Sequence, residues 1–396
     1  MEGKKSFTLV EVRDKKSLRL FLDFPARLYR DDKKWGRPLD IDVEKIFDPK
    51  QNKRFRKGGA VRWILKDQDH QVVGRVASFY DQSTAKKNVQ LTGGLGFFDC
   101  INDREAAFTL FDACRDWLKD KGMSAMDGPI NFGERDAFWG CLVDGYHEPL
   151  YNMPYNFPYY KELFEAYGFK NYFNQYTYHR TFEKDDLSEE IRDKAKRVFD
   201  NPDYTFEIFS KAKIDSIAED FKIIFNAAWA RFPGIPEITN AHALVLLRQM
   251  QPIMDNRLVH IAYYKGDPVG FFIMMPDISQ VFRKFNGKLN LINKLRLMYS
   301  LRVSKSVTRI IGRLFGVVPQ HQGRGVEGGM VMAFSKYARR PNFQYTDLEL
   351  NWIGDFNPTM MKVCEQIGSR IYKTHITYRF LFDRNASFER AKKVNV

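Results

Sequence analysis

The chain has 396 residues, 44% hydrophobic and 15% aromatic, with a net charge of +14. That is enough length and apolar content for two folded domains, and it excludes a largely disordered chain. The four cysteines (Cys100, Cys114, Cys141, Cys364) are scattered without CxxC or Cys/His spacing, so no metal is expected, and the positive balance favours anionic partners.

The opening MEGKKSFTLVEVRDKK lacks the apolar run of a signal peptide. No stretch approaches the ~20 apolar residues of a membrane span, so a cytoplasmic location is expected. Residues 6–29 read as a strand, a turn and an amphipathic helix, and residues 63–81 as a hairpin. Residues 128–146, GPINFGERDAFWGCLVDGY, form a long loop rich in binding groups: Asn131, Glu134, Arg135, Asp136 and Trp139. Residues 155–182 read as a helix, a stop at Gly168 and a long strand rich in β-formers.

A charged helical connector, 183–203, follows, and then the pattern returns. At a constant offset of 200, Pro158 meets Pro358, Glu165 meets Glu365, Gly168 meets Gly368, and Thr177-Tyr178 meets Thr377-Tyr378. Residues 204–229 again read as strand, turn and helix, and 260–277 as a second hairpin, with Val269-Gly270 opposite Val73-Gly74. Between them, the aromatic, Pro-rich stretch 225–240 carries Trp229 and Phe232 near the expected acceptor side. Several matches in one order indicate an internal repeat. The expected organisation is one domain over 1–182, the connector, and a second over 204–396. Each is α/β in an α+β arrangement, because an antiparallel hairpin sits in its middle.

Residues 278–313 have no counterpart in the first half. They hold nine Lys/Arg and no acid, with Leu291, Leu295 and Met298 at helical spacing around Lys294 and Arg296. This is the pattern of a helix lying on an anionic membrane surface. A strand, RLFGVVP, then leads into QHQGRGVEGG, where four glycines occupy Gly323 to Gly329. A helix that opens on glycine exposes its backbone N–H groups, and a phosphate is the natural guest.

The string VVPQHQGRGV resembles the Q/R-x-x-G-x-G/A motif of the GNAT superfamily of acyl-CoA-dependent acyltransferases, with Gln320, Gly323 and Gly325 at the motif positions. The order of predicted elements is also that family's. The resemblance implies two tandem GNAT-like domains, each with a mixed, mainly antiparallel sheet flanked by helices, and acyl-CoA or acetyl-CoA as co-substrate. It implies pyrophosphate contacts from the backbone of Gln322, Gly323, Arg324, Gly325 and Val326, and oxyanion donors at Val317 and Val318. It also implies a site role for Asn357, seven residues before Cys364, where the family commonly has an acidic tyrosine. The same string fits GxGxxG, but four residues separate its glycines from the strand, and too little chain follows Glu349 for a dinucleotide fold. Aligning 93–118 on the glycine region sets Asp103 and Glu105 opposite Gly323 and Gly325. The first half is therefore expected to keep the fold without the cofactor loop.

Direct attack of an amine on the thioester needs a base. Period two places Tyr345, Asp347, Glu349 and Asn351 on one strand face, making Glu349 the candidate base with Asp347 as second choice, and Tyr378 the candidate acid. The acceptor is expected between the halves, against Asn131, Glu134, Arg135, Trp139, Trp229 and Phe232. The basic segment and the tandem halves also resemble the branch that includes bacterial ceramide synthases, which implies a lipid amine acceptor and peripheral contact with the inner membrane face. The alternatives are acetylation of a small polar amine, and acyl-CoA binding without catalysis. No recognised nucleic-acid motif accompanies the charge.

Overall fold

Local signals set the element ends. Asp14 and Ser17 form a reciprocal capping box at the start of the first helix. Gly168, at φ 106°, stops the helix before it in the left-handed conformation glycine adopts freely. The computed structural model describes residues 6–86, 89–182, 187–229 and 237–392.

The first half runs β1 (Thr8–Glu11), α1 (Lys15–Leu28), α2 (Asp40–Ile46), β2 (Gly58–Lys66), β3 (Val72–Asp81), α3 (Gln82–Ala85), β4 (Thr92–Cys100), α4 (Arg104–Asp120), β5 (Ala125–Gly128), β6 (Cys141–Asp144), α5 (Tyr159–Tyr167) and β7 (Lys170–Thr181). The connector forms α6 (Glu189–Phe199). The second half runs β8 (Tyr204–Ile208), α7 (Ile214–Trp229), α8 (Asn240–Met250), β9 (Val259–Tyr264), β10 (Asp267–Pro276), α9 (Ser279–Phe282), α10 (Leu291–Arg302), β11 (Arg309–Val317), α11 (Val326–Ala338), β12 (Asp347–Gly354), α12 (Pro358–Gln366) and β13 (Arg370–Leu381). Both expected hairpins form, β2 with β3 and β9 with β10.

All the strands join one mixed sheet in the order β1-β2-β3-β4-β5-β13-β7-β12-β11-β10-β9-β8, with β6 beside β13. Its pairs are antiparallel except β4 with β5 and β11 with β12. The order mirrors about its centre. There the halves exchange their last strands: β13 pairs with β5 of the first half, and β7 with β12 of the second. β7 and β13 pair antiparallel with each other, Tyr176 opposite Thr374.

The exchange carries side chains across. Tyr178, on β7, is buried in the core of the second half, and Tyr378 stacks on Phe164 of the first, ring centroids 5.4 Å apart. The Tyr378 hydroxyl donates to Glu165 at 3.0 Å, whereas the buried Tyr178 hydroxyl has no partner among the described residues.

Candidate active site

β11 and β12 pair in parallel only from Arg309–Gly312 against Asp347–Leu350, and then part. Into the gap opens a cleft with about 1830 Å³ of empty space, part of it open to solvent. Leu314, Phe315, Leu350, Trp229, Phe272 and Met360 give it apolar walls. The Val317 carbonyl accepts from Gln322 Nε2 at 2.9 Å, on the side away from β10. Strand alternation turns the Val317 N–H to that same side, toward the gap. Val318 does not join it, because its N–H donates to the Val269 carbonyl at 2.9 Å. Of the two expected oxyanion donors, one faces the cleft.

At the mouth, residues 318–325 link β11 to α11. Gly325 is the N-cap of α11 and supplies no side-chain cap, so the first-turn N–H groups keep their positive field. Gly323 and Gly325 both have left-handed φ, 69° and 102°. Their spatial roles differ. A Cβ on Gly323 would meet nothing within 4 Å, whereas one on Gly325 would lie 2.5 Å from the Lys194 carbonyl oxygen. One on Gly328 would lie 2.9 Å from Ala195 Cβ. The glycines thus leave one open approach and let α6 cross close over α11. Gln322, Gly323 and Gly325 line the cleft, and so do Lys194 and Lys362. Arg324 is exposed beside them, Gln320 is exposed and outside the lining, and Val326 is buried. Asn357 lines the cleft while its Oδ1 caps α12 through the Met360 N–H at 3.2 Å. Glu327, in the first turn of α11, accepts from the Gly323 N–H at 3.4 Å, and burial pushes its carboxyl above the ordinary range.

The expected acid and base lie elsewhere. Glu349 is fully buried, bonded to Arg309 at 3.0 Å and Lys373 at 2.6 Å, and outside the cleft lining. Arg309 also holds the buried Asp277 at 2.6 Å. A carboxylate clamped by two cations away from the gap holds the sheet together and cannot reach an amine in the cleft. Burial favours a neutral Asp347, but bonds from His179 and Thr346 outweigh it and hold the carboxyl below its ordinary range, which weakens it as a base. Tyr378 sits in the core of the first half, its hydroxyl pushed upward by burial and committed to Glu165. Cys364 is buried, its thiol pushed up to about 12, and it packs.

Of the expected acceptor residues, Trp229 lines the cleft and Phe232 lies outside the described residues. The loop residues are mostly structural. Asn131 Nδ2 reaches the Glu134 carbonyl at 3.4 Å, Glu134 pairs with Arg54 at 2.8 Å, and Trp139 Nε1 bonds Thr377 at 3.0 Å. Arg135 touches the cleft wall through its carbonyl, which accepts from Trp352 Nε1 at 2.6 Å, and Asp136 lies 3.9 Å from Arg313 of the lining. Two cleft residues were not selected from the sequence, Lys194 for want of any signal and Asn351 although its strand face was. Lys194 arrives on the connector, and Asn351 faces the gap with its Oδ1 buried and unpartnered among the described residues.

The first half repeats the parting strands without the loop. β4 and β5 pair over Thr92–Gly94 and Ala125–Asp127, and the chains part only after the Ile130 N–H has reached the Leu95 carbonyl at 2.8 Å. Only Ile101, Asn102 and Asp103 link β4 to α4, and Asp103 caps that helix through the Ala106 N–H at 2.9 Å. Matching the two N-caps sets Asp103 opposite Gly325 and Glu105 opposite Glu327, two residues away from the sequence alignment. The glycine loop is missing rather than substituted.

No protein-family model matches the chain. Among curated proteins it is 26% identical over 385 residues to the bacterial ceramide synthase of Caulobacter vibrioides, covering 94% of this chain and 96% of that one. It is 25% identical over 370 residues to protein YghO of Escherichia coli, covering 92% and 93%. Among solved structures, a tandem GNAT protein from the clavulanic acid biosynthesis pathway superposes with a TM-score of 0.53 at 11% identity, over 96% of this chain and all of that one. A GCN5-related N-acetyltransferase from Sphaerobacter thermophilus does so at 0.50 and 11%, over 97% and 98%.

Proposed function

We propose, from the premise that this chain has the tandem GNAT fold, that it is an acyl-CoA-dependent N-acyltransferase acting on a lipid amine such as a sphingoid base. The observation that carries this reading is the cleft between the parted strands, with the uncapped N-terminus of α11 at its mouth. There the N–H groups of the glycine loop receive the pyrophosphate, and Arg324, Lys194 and Lys362 add charge. The Val317 N–H faces the thioester oxygen. The amine lone pair attacks the thioester carbonyl carbon, the C–N bond forms and the C–S bond breaks. The amine nitrogen gives up a proton, and the departing thiolate takes one up. The ceramide synthase likeness over nearly the whole chain supports an amine of this class.

α10 supports delivery from a membrane surface. Leu291, Ile292, Leu295 and Tyr299 are 59–71% exposed on one stripe, flanked by Lys294 and Arg296. Asn293 and Leu297 face inward instead. Among the described residues, three of the nine cations of the segment face a carboxylate: Arg309 is buried against Asp277, Arg283 pairs with Glu148 at 2.5 Å, and Arg313 lies 3.9 Å from Asp136. Lys284, Lys288, Lys294, Arg296, Arg302 and Lys305 are exposed. At about 1 kcal/mol each near an anionic surface, part of this set suffices for salt-sensitive binding. No described helix is long and apolar enough to cross a membrane, so contact through α10 is peripheral.

The test is turnover of a sphingoid base and of a polyamine, with acetyl-CoA and with long-chain acyl-CoA, alongside sedimentation with anionic and neutral vesicles. Preference for the lipid amine and salt-sensitive binding to anionic vesicles are expected. Preference for the polyamine with acetyl-CoA would replace the lipid reading by small-amine acetylation. Thioester binding without turnover of any amine would remove the enzyme.

A further inference from the structure

The first half holds a cavity of its own, with about 860 Å³ of empty space, part of it open to solvent, on the α1 side of β4. We propose that this cavity receives the apolar tail of the acceptor, a long-chain primary amine, and presents the amine to the cleft across Met153. The inference rests on the acyltransferase reading and adds where its second substrate binds.

Three observations support it. First, the charged groups of the cavity wall are already paired. Arg75 holds Asp99 at 2.7 Å, with Tyr29 donating to the same carboxylate at 3.0 Å. Arg37 holds Asp23 and Asp40, each at 2.8 Å. What the cavity offers a guest is Leu22, Val43, Phe97, Phe98, Phe138 and Met153, an apolar lining suited to a hydrocarbon chain. The parted strands of the first half thus keep room for a ligand without a phosphate loop.

Second, the wall toward the cleft is two side chains thick. Met153 lines the cavity, its sulfur accepts from Asn351 Nδ2 at 3.3 Å, and Asn351 lines the cleft. Met153 also packs with Leu150, Ile311 and Trp352. On this wall the Oδ1 atom of Asn351 is buried without a donor among the described residues. A buried acceptor lacking a donor is costly, and an amine with its N–H groups is the partner it lacks.

Third, the basic segment is fastened to the cavity. Asp40 donates its N–H to the Gly287 carbonyl at 2.9 Å, Gly36 packs against the Arg283 side chain, and both Asp40 and Gly36 line the cavity. α10 begins four residues after Gly287. A helix lying on lipid through its exposed stripe therefore holds this side of the first half close to the bilayer.

The experiment photolabels the full chain with a diazirine-bearing hexadecylamine, with and without coenzyme A, and maps the label by mass spectrometry. Label is expected in the peptides around residues 22–43, 97–99 and 153–156, undiminished by coenzyme A. Val43→Phe should raise the KM for hexadecylamine at least tenfold while leaving butylamine turnover and coenzyme A affinity unchanged. Should that variant not fold, the label on the unaltered chain still decides. Label confined to the β11–β12 cleft or to α10 would overturn the site, and so would an unchanged KM in folded Val43→Phe. Labelling of the cavity by a protein that acylates no amine would instead remove the acyltransferase reading and leave a lipid-amine site.

Discussion

The helices α4 and α11 start at equivalent places in the two halves and end up with opposite chemistry. At α4 a three-residue link brings Asp103 onto the helix N-terminus, where its carboxylate satisfies the Ala106 N–H and occupies the positive end of the dipole. At α11 an eight-residue loop ends in a glycine without a side-chain cap, and the same positive end stays open beside a cleft. An anion site is here a helix start whose N-cap brings no carboxylate, and where burial raises the carboxyl of Glu327, two residues into the helix, above its ordinary range. The loop that provides it needs extra length as well as glycine.

Substitutions can break this contrast, beginning with the largest effect. Gly325→Ala should cost about 2–4 kcal/mol of unfolding free energy, from a left-handed backbone and a clash with the Lys194 carbonyl together. Asp103→Ala, losing only a cap, should cost about 1 kcal/mol. Equal denaturation midpoints for the two would mean that α6 does not depend on the glycine. Next, Gly323→Asp should leave the fold largely intact, since its side chain enters open space and Asp tolerates left-handed φ. The added carboxylate should weaken coenzyme A binding about tenfold, roughly 1.4 kcal/mol of charge repulsion near the loop. Calorimetry should find one site per unaltered chain, and two sites would restore a cofactor function to α4.

The exchanged tyrosines give a smaller pair of effects. Tyr378→Phe removes a bond to Glu165 and should cost about 1 kcal/mol, whereas Tyr178→Phe removes a buried hydroxyl without a partner among the described residues and should be neutral or stabilising. The reverse ranking would show that Tyr178 is the one in use. Smallest is Glu327. Burial raises its carboxyl pKa, so the neutral form, present at low pH, is the one compatible with a neighbouring phosphate. As pH rises through that raised value a negative charge appears beside the loop, and coenzyme A should bind a few-fold more weakly. Glu327→Gln should hold the tighter affinity and flatten this pH dependence, which titration calorimetry across the acid range will measure.

What was legible in the sequence is what short-range chemistry decides. The hairpins, the stop at Gly168, the glycine loop and the repeat all follow from residues close in the chain. The strand exchange was hidden, because β7 and β13 have the same period and composition whichever sheet they enter. Glu349 was misread for a related reason. Alternation states which face a side chain takes, but not that Arg309 and Lys373, 40 and 24 residues away on β11 and β13, converge on it. Gly325 and Gly328 were read as room for a ligand, and the connector helix fills much of that room. Trp229, picked out by an aromatic stretch, lines the cleft, while Asn351 sat on the chosen strand and went unselected beside two carboxylates.

The exchange of β7 and β13 also sets a timetable. A ribosome makes β5 at residues 125–128, but the strand that covers its open edge begins only at residue 370. Through all the synthesis between, the first half carries an unpaired edge at the middle of its future sheet, the kind of edge on which nascent chains aggregate. β7 waits as well, until β12 emerges to pair with it. Neither half can finish ahead of the other, so a cell that stops translation between them holds one incomplete sheet rather than a working domain. Cutting the gene at the connector would do the same, which gives the half without a cofactor loop a reason to persist apart from any chemistry it performs.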